Sequence, residues 1–170
     1  MTLVLCVDRN YNIGYKNKML FHLKSDLKHF RELTLDSDIL MGRNTFLSMG
    51  ILDRRMHHVI SSTLDIEDDR VIVYRNVEEF LEKYNKDHIF FIGGANLYRS
   101  LRDYITKAII TEVDALAEYA DVSIENLRED SRFIPISRLK NDRDTYNYTI
   151  TTYLRKDKYE DISVKTGDGH

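Results

Sequence analysis

The stretch His88-Ile89-Phe90-Phe91-Ile92-Gly93-Gly94 runs through consecutive apolar residues and stops at a pair of glycines. A short apolar run that ends on glycine is typical of a strand buried on both faces. The residues that follow, 95–101, predict a helix. The same order occurs earlier, where Asp38-Ile39-Leu40-Met41-Gly42 predicts a strand and residues 44–49 predict a brief helix. Two strand–glycine–helix junctions indicate an α/β fold.

Other short apolar runs extend this alternation. They predict strands at residues 3–7, 57–62, 71–74 and 107–113, and helices at residues 25–33 and 77–84. Asn76, with Glu79 three residues later, predicts the N-terminal cap of the last helix. Alternating residues over 146–152 predict a half-exposed strand. We therefore expect one α/β domain with a mostly parallel twisted sheet of about eight strands, an antiparallel C-terminal edge strand and helices on both faces.

Composition excludes several classes of protein. The chain has 170 residues, 42% of them hydrophobic, and we find no repeat or linker, which suits one domain. Its net charge of −3 does not indicate binding to nucleic acid or to an anionic membrane, which would favour an excess of basic residues. One cysteine cannot form an internal disulfide, and six scattered histidines form no metal cluster. With neither a signal peptide nor a membrane span, we expect a cytoplasmic protein.

Asp26 is the most informative single residue. Its spacing places it on the same face of the predicted helix as Leu23, Leu27 and Phe30, a face expected to pack on the sheet. A carboxylate that faces an apolar wall is costly unless it is paired, which favours a hydrogen-bond-donating or cationic ligand. The alternative is that Asp26, in the first helical turn, caps the helix or interacts with its dipole.

The two glycine junctions are candidate phosphate sites. Gly42 is followed by Arg43, Asn44 and Thr45, whereas the Gly93-Gly94 junction carries no charge. Helix starts with close-approach glycines suit phosphates, and Arg43 adds a bidentate donor. The alternative is that the glycines only permit tight turns. Two such junctions in one α/β chain favour a dinucleotide at the carboxyl ends of the strands.

Three other features have simpler interpretations. The pair His57-His58 is expected at the surface and not as a metal site. Cys6, in the middle of a predicted strand, is expected to be a buried, unreactive thiol. Arg54-Arg55 are either solvated charges or a site that binds a carboxylate.

Three motifs, in this order, resemble the dihydrofolate reductase family. They are the substrate loop and first helix, Ile13-Gly14-Tyr15-Lys16-Asn17-Lys18-Met19-Leu20-Phe21-His22-Leu23-Lys24-Ser25-Asp26-Leu27-Lys28-His29-Phe30; the cofactor motif, Ile39-Leu40-Met41-Gly42-Arg43-Asn44-Thr45-Phe46-Leu47-Ser48-Met49-Gly50; and the glycine-pair motif, Ile92-Gly93-Gly94-Ala95-Asn96-Leu97-Tyr98. The resemblance implies a reductase-like domain over residues 1–154 and a polar, flexible tail over 155–170. It implies reduction of 7,8-dihydrofolate to tetrahydrofolate by hydride transfer from NADPH, which supports one-carbon metabolism and thymidylate synthesis.

The resemblance also implies roles at the substrate. Asp26 would hydrogen-bond the pterin 2-amino group and N3, supported by Thr111. The loop of Met19, with Phe21, would admit the water that protonates N5. Arg55 would bind the glutamate α-carboxylate of the substrate, with Arg54 as the alternative. The apolar pocket around the pterin and aminobenzoyl rings would comprise Leu5, Cys6, Leu27, Phe30, Met49, Leu52 and Ile92.

Roles at NADPH follow in the same way. Tyr98 would lie close to the nicotinamide, and Gly93-Gly94 would form the cis peptide that is typical of the family. Backbone contacts to the carboxamide would come from Cys6 and Ile13. The pyrophosphate and 2′-phosphate would be bound among Arg43, Thr45, Ser62 and Arg75. The remaining cofactor-binding residues would be Gly14, Gly42, Asn44, Ser61, Gly93, Gly94, Ala95, Asn96 and Leu97.

The chain departs from the family pattern at several positions. Leu20-Phe21 replaces the usual Pro-Trp, so the indole N–H that orders a water is missing. Lys24 replaces a proline, and the loop after Gly50 lacks prolines and is one residue shorter. Ala95 and Asn96 replace a glycine and a basic residue, which predicts weaker NADPH binding.

Two alternative functions remain open from the sequence. One is a reductase of the same fold that acts on the pyrimidine intermediate of riboflavin synthesis, which would not need Asp26. The other is a folate- or nucleotide-binding structural protein that has lost turnover. On the favoured interpretation we expect a monomer that binds dihydrofolate and antifolates such as methotrexate and trimethoprim, with neither a nucleic-acid nor a membrane partner.

Overall fold

The computed structural model describes residues 1–86 and 88–157. Its strands are β1 (Thr2–Val7), β2 (Asn12–Gly14), β3 (Asp38–Gly42), β4 (Met56–Ile60), β5 (Val71–Tyr74), β6 (Phe90–Phe91), β7 (Lys107–Val113), β8 (Val122–Ser123), β9 (Phe133–Asn141) and β10 (Tyr148–Arg155). Its helices are α1 (Lys24–Thr34), α2 (Arg43–Met49), α3 (Val77–Lys83) and α4 (Ala95–Leu101), with a 3₁₀ turn at Arg102–Tyr104. β10 includes Arg155, which the sequence analysis assigned to the tail. Most of that predicted tail, residues 158–170, lies outside the described residues.

Eight strands form one sheet in the order β5-β4-β3-β6-β1-β7-β10-β9. The first six are parallel, and β10 is antiparallel to both of its neighbours. A second, two-stranded sheet pairs β2 with β8. The predicted α/β fold, the number of strands in the main sheet and the antiparallel C-terminal part are therefore confirmed.

The edge position differs from the expectation, because β9 and not β10 occupies it. β9 was missed in the sequence analysis since most of its residues are exposed and its pattern does not alternate cleanly. It also contains Pro135, and proline is tolerated in a sheet at an edge or a bulge. Pro135 pairs with Tyr153 where the register of the two strands shifts.

The main sheet is covered on both faces. Along β3, Ile39 and Met41 pack in one apolar cluster with Phe46 of α2, whereas Leu40 packs in another with Phe80 of α3. This alternation is the two-residue period of a strand that has a core on each side. The α3 cap is also as predicted, with Asn76 Oδ1 accepting from the Glu79 amide at 2.8 Å.

The pair His57-His58 is buried, so the expectation of a surface pair is wrong. β4 is an inner strand, and both rings have hydrogen-bond partners inside the protein. His57 Nε2 accepts from the Leu52 amide at 2.9 Å, and His58 Nε2 lies 2.8 Å from Asp38 Oδ2. Burial lowers the pKa of both rings. These contacts give the histidines a structural role.

Glu112 of β7 is a buried carboxylate with four hydrogen-bond donors. It accepts from Tyr11 Oη at 2.7 Å, Thr151 Oγ1 at 2.6 Å, Tyr153 Oη at 2.9 Å and Arg128 Nε at 2.9 Å. Burial alone raises its pKa, but these four donors outweigh burial and hold the pKa below its ordinary value. The carboxylate thus ties the loop after β1 to the C-terminal half of the sheet.

Within the described residues, no helix is long and apolar enough to cross a membrane.

Candidate active site

A cavity of about 1030 Å³ opens at the carboxyl ends of the parallel strands, between α1, α2 and α4. This is where open α/β sheets bind ligands. Most of the predicted site residues line it: Leu5, Cys6, Ile13, Gly14, Met19, Phe21, Asp26, Leu27, Phe30, Gly42, Arg43, Asn44, Thr45, Met49, Ser61, Ser62, Ile92, Gly93, Gly94, Ala95, Asn96, Leu97 and Thr111. The fold therefore brings together side chains from all three sequence motifs.

Asp26 is buried in the cavity wall, with 8% of its surface exposed. Thr111 Oγ1 of β7 donates a hydrogen bond to Asp26 Oδ1 at 2.6 Å. Burial raises the pKa of Asp26, and the nearby Asp144 adds to this increase, while the bond from Thr111 and the charge of His29 oppose it. Because the carboxylate reaches across to the sheet, it does not cap its own helix. A buried, cavity-lining carboxylate with a raised pKa is a candidate ligand-binding group.

The N-terminus of α1 is capped from a distant loop. Leu23, at the N-cap position, has no side chain that can do so. Instead Asp144 Oδ2, in the loop between β9 and β10, accepts from the Ser25 amide at 2.9 Å and from the Ser25 hydroxyl. Tyr148 Oη lies 2.5 Å from Ser25 Oγ. These contacts fix the position of Ser25 in the first turn of α1, and Ser25 directly precedes Asp26 in the chain.

The face of α1 around Asp26 divides into two parts. Leu23 is 2% exposed and belongs to the core, as expected. Leu27 is 40% exposed and lines the cavity, whereas Phe30 lines the cavity and also packs against the apolar cluster that contains Ile39 and Met41 of β3. Apolar surface exposed inside a cavity is removed from water when an apolar ligand binds, and this contributes to affinity.

The loop before α1 forms one side of the cavity. Phe21 is buried and packs edge-on against Tyr146, with ring centroids 5.2 Å apart. Met19 is 41% exposed and lines the cavity. The loop is anchored where the Lys16 amide donates to Asp121 Oδ2 at 3.0 Å.

Cys6 is half-buried in β1 and lines the cavity. Burial raises the pKa of its thiol, and the charges of Asp26 and Asp8 raise it further. The thiol is therefore protonated at neutral pH, which agrees with the unreactive cysteine that the sequence predicts.

The two glycine junctions lie side by side. The Gly42 amide donates to the Gly93 carbonyl at 2.9 Å, and the Gly93-Gly94 peptide is cis, as the resemblance implied. Gly93 has a φ of 122°, which disfavours any side chain there. The hydroxyl of Thr45 lies beside both glycines, 3.6 Å and 3.7 Å from where their Cβ atoms would be. The backbone of these glycines, Arg43 and the Thr45 hydroxyl line the cavity with a surface that fits a phosphate-bearing ligand.

Tyr98 and Leu52 do not line the cavity. Tyr98 is 3% exposed and shares the sheet-facing side of α4 with Ala95 and Leu101. Leu52 is half-buried beside the apolar cluster that contains Phe46. The structure thus gives both residues packing contacts outside the cavity wall.

Arg75 also lies outside the cavity wall. Its Nη1 donates to the carbonyls of Ser61 and Leu64, at 3.1 Å and 2.7 Å. Its guanidinium therefore supports the loop that presents Ser62 to the cavity. Ser61 Oγ shapes the same loop by accepting from the Thr63 and Leu64 amides.

The two adjacent arginines have different surroundings. Arg54 is exposed and binds Asp36 through Nε and Nη2, at 2.9 Å and 2.5 Å. Arg55 is 6% exposed, does not line the cavity, and donates to the Asp53 carbonyl at 2.7 Å. Burial lowers the pKa of Arg55, and none of the described carboxylates forms an ion pair with it. A buried cation without an anion is costly, which favours a ligand carboxylate as its partner.

Several residues that line the cavity were missed in the sequence analysis: Val4, Asn17, Lys18, Leu20, His29, Ser48, Ile60, Thr63, Arg99, Ser100, Ile109, Asp121, Val122 and Ser123. His29 could have been found, because it lies three residues after Asp26 on the same helix. Asp121 and Ser123 could not, because they belong to a loop and a two-residue strand without a sequence pattern.

Comparison with known proteins gives the same family by sequence and by structure. The model of the family "Dihydrofolate reductase" matches residues 1–155. The chain is 29% identical to the dihydrofolate reductase of Bacillus subtilis, over 92% of this chain and 95% of that protein. It is 32% identical to dihydrofolate reductase type 9 of Escherichia coli, over 66% of this chain and 70% of that protein.

A solved structure is also similar. It is the dihydrofolate reductase from Enterococcus faecalis complexed with NADP(H) and RAB-propyl, which superposes with a TM-score of 0.78 at 26% identity and covers 91% of this chain and 95% of that one. The family model spans nearly the whole described chain, and the fold, the cavity and the order of the motifs agree with it. This chain belongs to the dihydrofolate reductase family.

Proposed function

We propose that the chain reduces 7,8-dihydrofolate to 5,6,7,8-tetrahydrofolate with NADPH as the hydride donor. The observation that carries this proposal is the buried carboxylate of Asp26, bonded to Thr111, in the same cavity wall as the paired glycine junctions. A carboxylate suits a flat heterocycle that presents two hydrogen-bond donors, and the junctions suit a dinucleotide.

NADPH, when bound, supplies the hydride. Because Gly93 and Gly94 have no side chains, the phosphates of NADPH could approach the protein backbone closely beside the Thr45 hydroxyl. Arg43 would contribute positive charge. Ser62, presented by the loop that Arg75 supports, is the candidate for the 2′-phosphate. These residues bind and orient the cofactor, and correct orientation of the reacting atoms lowers the barrier.

Asp26 would hold the pterin by accepting from its 2-amino group and from N3. The negative charge also favours a positive charge on the ring, so it would ease protonation at N5. We infer that a water admitted past Met19 and Phe21 delivers that proton. The apolar walls formed by Leu27 and Phe30 exclude other water from the ring.

Arg55 is proposed to bind the α-carboxylate of the substrate's glutamate. Support comes from its burial without an acidic partner, whereas the guanidinium of Arg54 is already paired with Asp36. Binding of that carboxylate would turn Arg55 and bring its guanidinium toward the cavity. We further propose that the chain is a cytoplasmic monomer that binds methotrexate and trimethoprim.

The test is the decrease in absorbance at 340 nm when the purified chain is mixed with NADPH and dihydrofolate, with and without methotrexate. A methotrexate-sensitive decrease supports the proposal. Binding of both ligands in a calorimeter without turnover would instead identify a folate-binding protein that has lost activity. Oxidation of NADPH only with the pyrimidine intermediate of riboflavin synthesis would identify the other reductase.

A further inference from the structure

Arg99 lines the cavity on the helix that follows the glycine pair, and the sequence assigns it no role. It belongs to α4, which begins directly after Gly94, and it lines the cavity together with Asn96. Arg99 Nη1 donates to Asn96 Oδ1 at 3.0 Å. Residues three apart share a helix face, so Asn96 holds the guanidinium on the face of α4 that carries both residues.

The charge of Arg99 is not neutralised by an acidic side chain. Many other described arginines form ion pairs, namely Arg9, Arg54, Arg70, Arg102, Arg128 and Arg132. In the described part of the chain no carboxylate oxygen lies within 4 Å of Arg99, and the neutral amide of Asn96 orients it instead. An oriented guanidinium of this kind is available to an anionic ligand.

The position of Arg99 relative to the two glycine junctions indicates which ligand group it meets. The hydrogen bond from the Gly42 amide to the Gly93 carbonyl holds the junctions together at 2.9 Å. Arg43 directly follows Gly42, Arg99 is the fifth residue of the helix that begins after Gly94, and both cations line the cavity that the junctions line. Arg75, the other cation expected here, is occupied by two backbone carbonyls.

We propose that Arg99, oriented by Asn96, binds the pyrophosphate of the dinucleotide. This inference rests on the proposed function and adds a residue to it. It also gives a role to Asn96, whose presence in place of a basic residue predicts weaker NADPH binding. Arg99, about one turn later on the same helix, would supply the positive charge that Asn96 lacks. A guanidinium can bind two phosphate oxygens at once, whereas an ammonium acts as a point charge.

The experiment measures dissociation constants for NADPH and NADH by calorimetry at several salt concentrations. Arg99→Gln is expected to weaken binding of both nucleotides about 10- to 100-fold and to reduce the salt dependence of binding. Arg99→Lys should restore part of the affinity, and Asn96→Ala should cause a smaller loss. The matched control is Arg102→Gln, an arginine that pairs with Glu125 and does not line the cavity. Its affinity should be unchanged.

The outcomes separate this inference from the proposed function. If Arg99→Gln weakens NADPH binding and leaves NADH unchanged, the residue binds the 2′-phosphate and the pyrophosphate assignment is wrong. If neither nucleotide is affected, Arg99 has no role in binding, while the parent chain still binds and turns over. If the parent chain itself binds no nucleotide, both the inference and the proposed function fail.

Discussion

Thr111 and Asp26 join the sheet to the first helix at the cavity, through a hydrogen bond of 2.6 Å from the hydroxyl to Oδ1. The donor lies on β7 and the acceptor on α1, 85 residues apart in the sequence. Because the donor is neutral, the pair carries the full charge of the ionised carboxylate, whereas a cationic partner would leave the pair with no net charge. The field of Asp26 therefore remains available to a bound ring.

Replacement of Asp26 by asparagine is expected to preserve the fold and NADPH binding. The rate of hydride transfer near neutral pH should decrease about 10²- to 10³-fold, because the amide lacks the charge that favours protonation of the ring. The deficit should shrink as the pH falls, since protons from solution then become available. Single-turnover absorbance measurements across pH test this, and an unchanged rate would contradict the assignment of Asp26.

The same substitution should not destabilise the protein at neutral pH. Burial raises the pKa of Asp26 in the folded state, so folding disfavours the ionised form. This cost is absent below the ordinary pKa of aspartate, about 3.9, grows as the pH rises through the folded-state pKa, and then stays constant. The Asp26→Asn variant does not have this free-energy cost, because asparagine does not ionise. Its unfolding midpoint in urea should equal or exceed that of the parent at pH 7, and the difference should disappear in acid.

Phe21 offers a test of proton delivery. The Phe21→Trp variant restores an indole N–H beside the cavity, which can order a water. If that water matters, the pre-steady-state rate at high pH should rise, because proton delivery limits the reaction there. NADPH affinity serves as the control and should not change. A rate that stays constant would mean that another group already orders the water.

The adjacent arginines form a matched pair. Arg55→Gln should raise the KM for dihydrofolate about 10- to 100-fold, because a charge-assisted contact to the glutamate carboxylate is lost. A dihydropterin that lacks the aminobenzoylglutamate should show no such change. Arg54→Gln, which removes only an exposed pair with Asp36, should leave both KM values unchanged. The opposite ranking of the two variants would assign the carboxylate to Arg54.

Glu112 is expected to matter for stability. Glu112→Gln places an amide among four donors and should lower the free energy of unfolding by about 2–4 kcal/mol. Because the folded-state pKa of Glu112 is lowered, its stabilisation is full above the ordinary glutamate pKa of about 4.3 and is lost as the pH falls through the folded value. The two proteins should therefore converge in acid denaturation. Glu125→Gln, at an exposed pair, is the control and should cost less than about 1 kcal/mol.

The sequence predicts the elements with strong local patterns. Helix α4 and strands β5 and β7 have the predicted bounds: β5 is a compact apolar run, α4 begins directly after the glycine pair, and β7 contains the apolar residues Ala108, Ile109 and Ile110. β9 was missed because an exposed edge strand has no core face to impose a pattern. The same limit applies to the site. Motifs reveal Asp26 and the glycines, whereas the cap that Asp144 provides to α1 depends on a contact across 119 residues.

The surroundings of His57 and Arg75 could not be inferred for a related reason. Whether a polar side chain faces solvent, core or cavity depends on which strands flank it, and strand order is a property of the whole sheet. His57 is buried because β4 lies inside the sheet. Arg75 donates hydrogen bonds to two backbone carbonyls outside the cavity wall, and no local sequence pattern predicts these contacts.

Thr111 and Glu112 are neighbours on β7 and therefore point to opposite faces of the sheet. If β7 slipped by one residue against β1 so that Glu112 took the place of Thr111, Glu112 would meet Asp26 and Val113 would meet the Tyr11 hydroxyl. The two carboxylates would then repel each other, and Arg128 would lose its partner. Misalignment is thus penalised on both faces at once, so the hydrogen bonds made by Thr111 and Glu112 also fix the register of β7 in the sheet.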